Sequence, residues 1–184
     1  MSHHVSFVHC TDNGDHLVAY MARVSNPKGQ SKDFTKLIRY LIKHKHWSPF
    51  EMVNMCVEIN TTRSIASQIL RHRSFSFQEF SQRYASVEEL GDISIPNLRR
   101  QDVKNRQNSI DDLNPRAVEI WNQMIADQFD KSQALYRLLL ANGVAKECAR
   151  EVLPLSSPTR LYMNGSIRSW MHYCDLRCDV ATQL

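Results

Sequence analysis

The sequence predicts a mixed α+β protein. Short runs rich in β-branched residues alternate with longer segments of helical periodicity, which is the pattern of such folds. The chain has 184 residues, of which 42% are hydrophobic and 23% are charged, and these values are ordinary for a globular domain with its own core. No repeat, low-complexity tract or linker interrupts the pattern. We therefore expect a single domain over residues 1–184.

The first part of the chain predicts a strand followed by two helices. Residues 5–10 form a short, partly β-branched run, and residues 15–25 and 33–45 carry apolar side chains at helical spacing. Pro49 marks a break after the second helix, because the residue before a proline is kept out of the right-handed helical region.

A second strand is expected at residues 51–60. Thr61 or Thr62 can then cap a helix that runs to about Leu70, since a threonine side chain accepts hydrogen bonds from the first free backbone N–H groups.

The second half of the chain begins with residues 91–115, which are polar and basic and have no periodicity. We expect a long surface loop there, and loops of that length are usually functional lids or disordered. Asn142-Gly143 and Pro154 are stop signals for helices. The remaining predicted elements are helices at 116–142, 144–153 and 167–176 and a strand at 158–163. The buried side of the last helix should carry Ile167, Trp170, Met171 and Cys174.

The net charge is +4 and the isoelectric point is near 8.9, a mild basic excess that suits binding of a phosphorylated small molecule or a nucleic acid.

The odd number of cysteines and the absence of an apolar stretch of membrane-spanning length favour a reduced, cytoplasmic protein. Cys174 and Cys178 with His172 invite a zinc hypothesis, but structural-zinc spacings are missing and we expect no metal. We expect these thiols to be small apolar groups on a buried helix face.

The segment 68–84 carries the chemistry. Arg71, His72 and Arg73 are adjacent, and at about 100° per residue their side chains cannot point one way on an intact helix. At a helix end they would fan out into a clamp for phosphate or pyrophosphate. If the following residues are extended, Glu79, Ser81 and Arg83 share one side and offer an acceptor and donors to a nucleotide, although a solvated strand edge fits the same pattern.

These residues resemble the signature of the flavin-dependent thymidylate synthases, Arg71-His72-Arg73 followed after seven residues by Ser81 and then Arg83. Further blocks resemble the family in the same order. They are His46-Trp-Ser-Pro-Phe-Glu51, Ala149-Arg-Glu-Val-Leu-Pro-Leu155 with Thr159-Arg160, Ser169 to Arg177, and Asn105-Arg-Gln107. The likeness covers residues from about 15 to 184.

The resemblance implies a mostly antiparallel central sheet flanked by long helices, in a homotetramer whose active sites are shared between subunits. It implies non-covalent FAD, reduced by NADPH, which passes the methylene of methylenetetrahydrofolate and a hydride to dUMP, giving dTMP; no membrane or nucleic acid is implied as a partner. The positions implied to contact FAD are His46, Ser48, Arg71, His72, Arg73, Glu79, Asp175, Leu176 and Arg177. Those implied to bind dUMP are Gln68, Arg71, Glu79, Ser81, Gln82, Arg83 and Arg160.

Three departures from the family pattern stand out. Many relatives carry histidine at Met52, and many carry asparagine at Asp175. The family continues past Leu184 with an arginine that ionises the uracil ring, so no catalytic residue can be named within these 184 residues. From this we expect a shortened version of a longer enzyme that recognises FAD and dUMP but turns over poorly.

The sequence leaves open other roles for Ser81 and other functions for the chain. Ser81 could be a nucleophile, which would require a neighbouring base, but a substrate ligand is the expectation. The chain could be a catalytically impaired relative that binds nucleotides without turnover. It could also be an RNA- or DNA-binding domain. The basic patch of such a domain would comprise Arg71, Arg73, Arg99, Arg100, Lys104 and Arg106, with Phe75 and Phe77 for stacking. If the 91–115 segment is a lid, Arg106 and Gln107 should serve folate or dUMP use.

Overall fold

A four-stranded antiparallel sheet covered on one face by two helices is the centre of the fold, as seen in a computed structural model that describes residues 3–26, 29–30, 33–91 and 93–178. The strands in chain order are β1 (His4–Cys10), β2 (Asn54–Thr62), β3 (Ser76–Glu79), β4 (Arg100–Gln101), β5 (Ser109–Ile110) and β6 (Pro158–Ser166). The helices are α1 (Gly14–Ala22), α2 (Phe34–Lys43), α3 (Arg63–Ile69), α4 (Pro115–Ala141), α5 (Lys146–Ala149) and α6 (Ile167–Arg177). The predicted mixed α+β class with an antiparallel sheet is confirmed.

The sheet has the strand order β1-β2-β6-β3, so the sixth strand pairs with the second and third. The side chains of β6 alternate, with Leu161 and Met163 fully buried and Arg160 and Tyr162 exposed. Ala66 and Ile69 of α3 pack on the buried face, as do the partly buried rings of α6. We call this side the core face and the opposite side the outer face.

A second apolar cluster lies beside the sheet, where α1 and α2 pack together. Its buried members are Val18, Leu41, Phe50 and Val53. Phe50 comes from a 3-10 turn, Ser48–Met52, that occupies the predicted break. This turn runs through Met52, so the second strand begins at Asn54 and not at residue 51.

The helix boundaries follow the capping signals in the sequence. The Thr62 hydroxyl accepts a hydrogen bond from the Ile65 backbone N–H, which confirms the predicted start of α3. The Asn114 side chain caps the 27-residue α4, and Gly143 follows that helix with φ 79°, a left-handed value that glycine adopts without steric cost.

Three predictions about the second half were wrong in part. The segment 144–153 is a four-residue helix, α5, and a 3-10 turn, because Leu153 is already extended before Pro154. Within residues 91–115, β4 and β5 form a small hairpin, so the segment is not a plain loop. Cys174 and Cys178 are exposed, so neither thiol lies on a buried helix face.

None of the helices within the described residues combines the length and the apolarity that crossing a bilayer requires.

Candidate functional site

The cationic triplet lies immediately beyond the end of α3. The backbone N–H groups of Arg71 and His72 still donate to the carbonyls of Gln68 and Ile69, at 3.3 and 3.1 Å, and the chain then leaves the helix. Arg71 and Arg73 are exposed, and within the described residues their side chains make no ion pair or hydrogen bond. Two uncompensated guanidinium groups therefore flank a histidine at one helix end, an arrangement suited to an anionic ligand.

His72 is half-buried and held by α6. The Arg177 Nε donates a hydrogen bond of 3.0 Å to His72 Nε2, and Arg177 Nη2 donates to the Gln68 carbonyl at 3.2 Å. The ring of Tyr173 meets the His72 ring edge-on, with centroids 4.7 Å apart. Because Nε2 accepts a hydrogen bond, this imidazole is neutral and carries its proton on Nδ1.

Burial, and secondarily the positive charge of Arg177, lowers the pKa of His72. The unfolded chain, where a histidine pKa is about 6.5, therefore takes up the proton more readily than the folded one. The stability contributed by neutral His72 is present at and above neutral pH and is lost as the pH falls through about 6.5 towards the lower folded value. We expect the protein to lose stability in mildly acidic buffer.

Denaturant unfolding at pH 7.5 and pH 5.5 checks this expectation. The drop in the free energy of unfolding between the two pH values should be smaller in His72→Gln than in the unchanged protein. A control variant, His9→Gln on the edge strand β1, should keep the full drop. Equal drops in all three proteins would contradict the role assigned to His72.

Glu79 ends β3 with its carboxylate half-buried, and Thr159 Oγ1 donates to Glu79 Oε1 at 2.9 Å. The predicted row of Glu79, Ser81 and Arg83 does not form. The chain turns after Phe80, with the Tyr84 N–H donating to the Ser81 carbonyl at 3.1 Å, so alternation at period two stops there.

The turn that follows is fastened to α5. Arg83 Nε contacts Glu147 Oε2 at 3.1 Å, and Lys146 Nζ donates to the Tyr84 carbonyl at 2.8 Å. Gln82 inside this turn is only 3% exposed, and its Nε2 has no hydrogen-bond partner within the described residues. A buried amide donor without a partner is costly, which makes this group a candidate for contact with a ligand or with water.

The turn containing His46 and Ser48 is joined to the start of α6 through Glu51. The Ser166 hydroxyl and Arg168 Nη1 each donate to the Glu51 carboxylate at 2.6 Å. These interactions, the Ser166 hydrogen bond first, lower the pKa of Glu51. His46 and Ser48 are both exposed, so their side chains are accessible to a ligand.

Arg160 does not lie with the triplet. It alternates with the buried Leu161 and Met163, so it projects from the outer face, whereas His72 contacts α6 on the core face. Within one chain, the sheet therefore lies between two of the predicted site residues, Arg160 and His72.

Asp175 and Leu176 are exposed at the end of α6, next to Arg177. Sequence reasoning missed Tyr173, whose ring contacts His72. The spacing in the sequence could have indicated this residue, because Tyr173 lies four positions before Arg177 and so shares its side of the helix.

The nucleic-acid hypothesis loses its stacking groups in the structure. Phe75 is buried in the core at 8% exposure, and Phe77 packs against the same cluster. Arg100 is held by both oxygens of Asp112, and Arg99 donates to the Ser109 carbonyl. Two of the six predicted phosphate contacts are therefore engaged within the protein.

Two cavities, of about 530 and 760 Å³, lie away from the triplet. The first is between α4 and the segment before it, and the second is between α1, α2 and the turn at Phe50. No group of three or more histidine, cysteine or acidic side chains within the described ranges could hold a metal ion.

Comparison with known proteins identifies clear relatives. The family described as thymidylate synthase complementing protein matches residues 6–184. The flavin-dependent thymidylate synthase of Synechocystis sp. is 56% identical over 167 residues, which span 91% of this chain and 76% of that protein. The probable flavin-dependent thymidylate synthase of Paramecium bursaria Chlorella virus 1 is 50% identical over 175 residues, spanning 94% of this chain and 80% of that protein.

This chain also resembles solved structures of a nucleotide methylase. The UMP/dUMP methylase PolB from Streptomyces cacaoi, bound with 5-Br dUMP, has a TM-score of 0.81 at 27% identity and covers 96% of this chain and 78% of its own. The same methylase bound with 5-Br UMP has a TM-score of 0.82 at 29% identity, with 96% and 76% covered.

Proposed function

This chain belongs to the family of flavin-dependent thymidylate synthases, and from that premise we propose that it converts dUMP to dTMP by reductive methylation with a bound flavin. The relatives' names and the nucleotide ligands of PolB support the reaction class. The observation that carries the proposal to this chain is the clamp at the end of α3. There a neutral histidine held by Arg177 lies between two guanidinium groups that have no partner within the described part of the chain.

We propose FAD as the flavin, NADPH as the reductant and methylenetetrahydrofolate as the carbon donor. The donor set fits FAD, since Arg71 and Arg73 can pair with its pyrophosphate while His72, with Nδ1–H as donor, can approach a ring acceptor. The proposed FAD contacts are His46, Ser48, Arg71, His72, Arg73, Glu79, Asp175, Leu176 and Arg177. When bound, the flavin supplies the reducing equivalents that the side chains themselves lack.

For dUMP, the proposed ligands are Gln68, Arg71, Glu79, Ser81, Gln82, Arg83 and Arg160. Glu79 supplies an acceptor, and Arg160 supplies a cation for the phosphate. The buried Gln82 Nε2 supplies a donor that has no partner among the residues the structure describes. Ser81 forms no hydrogen bond with a histidine or carboxylate within the described residues, so it lacks a base and is proposed as a ligand and not a nucleophile.

We propose that the functional form is a homotetramer with shared sites. His72, a proposed FAD contact, and Arg160, a proposed dUMP ligand, lie on opposite faces of one sheet, so a flavin and a dUMP close enough to react are contacted by residues of two chains. Apolar side chains also remain uncovered on α4, where Ile120 and Met124 are 61% and 63% exposed, and on the edge strand, where Phe7 is 68% exposed. We also propose a cytoplasmic location, since all five cysteines are free thiols, as is usual in a reducing compartment.

Reconstitution with purified protein tests the function. We expect the protein to take up FAD, turn yellow, and form dTMP only when dUMP, methylenetetrahydrofolate and NADPH are all present. Flavin and dUMP binding without dTMP formation would identify a catalytically impaired relative. A colourless protein that binds oligonucleotides with a steep salt dependence would contradict the proposal and support the nucleic-acid alternative.

A further inference from the structure

Four polar side chains form a block on the outer face of the sheet, which we call the outer-face cluster: Glu58, Asn60, Arg160 and Tyr162. The backbone register brings them together, since Glu58 is directly opposite Tyr162 and Asn60 is directly opposite Arg160 on neighbouring antiparallel strands. Directly opposite residues on one face of a sheet are close enough for their side chains to interact.

The cluster is a chain of hydrogen bonds that ends on Arg160. Tyr162 Oη donates to Glu58 Oε2 at 2.9 Å, and Asn60 Nδ2 donates to Glu58 Oε1 at 2.8 Å. Arg160 Nε then donates to Asn60 Oδ1 at 3.0 Å. Because a carboxylate only accepts hydrogen bonds, Glu58 fixes the orientation of the Asn60 amide and so turns its oxygen towards Arg160.

Glu58 acts on Arg160 mainly through Asn60. The direct separation between Arg160 Nε and Glu58 Oε1 is 3.7 Å, which is an ion pair but is too long for a hydrogen bond. The hydrogen bonds from Asn60 and Tyr162, ahead of the nearby charges of Arg160 and His4, lower the pKa of Glu58, so the carboxylate stays ionised at neutral pH.

This network occupies only one edge of the guanidinium group. Arg160 has 46% of its side chain exposed, and Nη1 and Nη2 make no hydrogen bond within the described residues. An arginine anchored at Nε with its two terminal nitrogens free presents two parallel N–H donors, the geometry that binds a phosphate in bidentate fashion.

We propose that Asn60 is a positioning residue, held in place by Glu58 and, through Glu58, by Tyr162. It orients Arg160 so that the Nη1 and Nη2 groups face the phosphate group of the nucleotide substrate. This inference rests on the proposed function, because it assumes that the nucleotide is the anion which Arg160 meets. It adds a phosphate-specific role for side chains that the nucleotide does not itself touch.

The test compares two ligands that differ only by the phosphate, dUMP and deoxyuridine, on the flavin-loaded protein. Calorimetry should show that Arg160→Ala weakens dUMP binding about 100-fold, because charge-assisted hydrogen bonds are lost. Asn60→Ala should weaken dUMP binding about tenfold through a misplaced guanidinium group. Neither variant should change deoxyuridine binding, and Tyr162→Phe should have a smaller effect of the same kind.

The matched control is Gln78→Ala, an exposed outer-face residue directly opposite Tyr162 on β3 that makes no bond to Arg160. It should leave both affinities unchanged. Equal weakening of dUMP and deoxyuridine by Asn60→Ala, or no weakening of either, would overturn the inference while leaving the proposed function standing. Failure of the unchanged protein to bind dUMP at all would overturn both.

Discussion

Substituting alanine for Gly165 is expected to lower the free energy of unfolding by about 3 kcal/mol, at the upper end of the usual cost of overfilling a packed core. A Cβ atom at this position would lie 2.5 Å from Cδ1 and 2.8 Å from Cε1 of Phe75. The Phe75 ring cannot move aside freely, because it is buried and packs edge-on against the ring of Trp170, with the two ring centroids 4.8 Å apart. Denaturant unfolding of the flavin-free protein measures the change.

Phe75→Leu provides the matched rescue, since a shorter side chain makes room for the added methyl group. The double variant should be less destabilised than the sum of the two single variants, because the clash exists only when both original groups meet. Strict additivity, or an unchanged free energy of unfolding in Gly165→Ala, would contradict the packing described here.

Replacement of Arg177 by leucine is expected to weaken flavin binding about 100-fold, the combined effect of two lost hydrogen bonds from a charged donor. Arg177 holds the His72 ring through Nε and the end of α3 through Nη2. Without it, His72 can rotate and the proposed clamp for the cofactor loses its geometry. Lysine should not restore binding, because a single ammonium cannot hold both groups in the same directions.

Titration of the flavin-free protein with FAD, followed by flavin fluorescence, gives the affinity. Arg39→Leu on α2 removes the same charge from an exposed position and should bind FAD as the unchanged protein does. If Arg177→Lys bound FAD with full affinity, the charge alone would matter and the two directed hydrogen bonds would not.

Local signals in the sequence were sufficient for most of the secondary structure. The caps at Thr62 and Asn142-Gly143 lie next to periodic apolar segments, so both helix boundaries could be predicted. The hairpin of β4 and β5 could not, since each strand pairs only two residues. Its turn depends on the side chain of Asp102, which accepts hydrogen bonds from the Lys104 and Asn105 backbone N–H groups.

The arrangement of the candidate site was less predictable, because it depends on contacts between distant parts of the chain. The family motif indicated both His72 and Arg177 as cofactor contacts, but their mutual hydrogen bond joins residues 105 positions apart. The prediction that Glu79, Ser81 and Arg83 share one side was wrong, because it assumed that the strand continues past Glu79, the last residue of β3 that pairs with β6. Arg160 lies within the strand predicted at 158–163, but no local pattern in the sequence indicates which face of the sheet the helices cover.

The separation of Arg160 from His72 by the sheet has a consequence for how activity depends on protein concentration. In the proposed tetramer, the flavin contacted by His72 and the dUMP contacted by Arg160 meet at a contact between protomers, so the complete site would be lost on dilution below the dissociation constant of the assembly. Each protomer would keep its fold under those conditions, because the buried core of Leu161 and Met163 is complete within one chain. Specific activity would then rise with enzyme concentration before reaching a plateau, and protomer association would itself limit thymidylate formation.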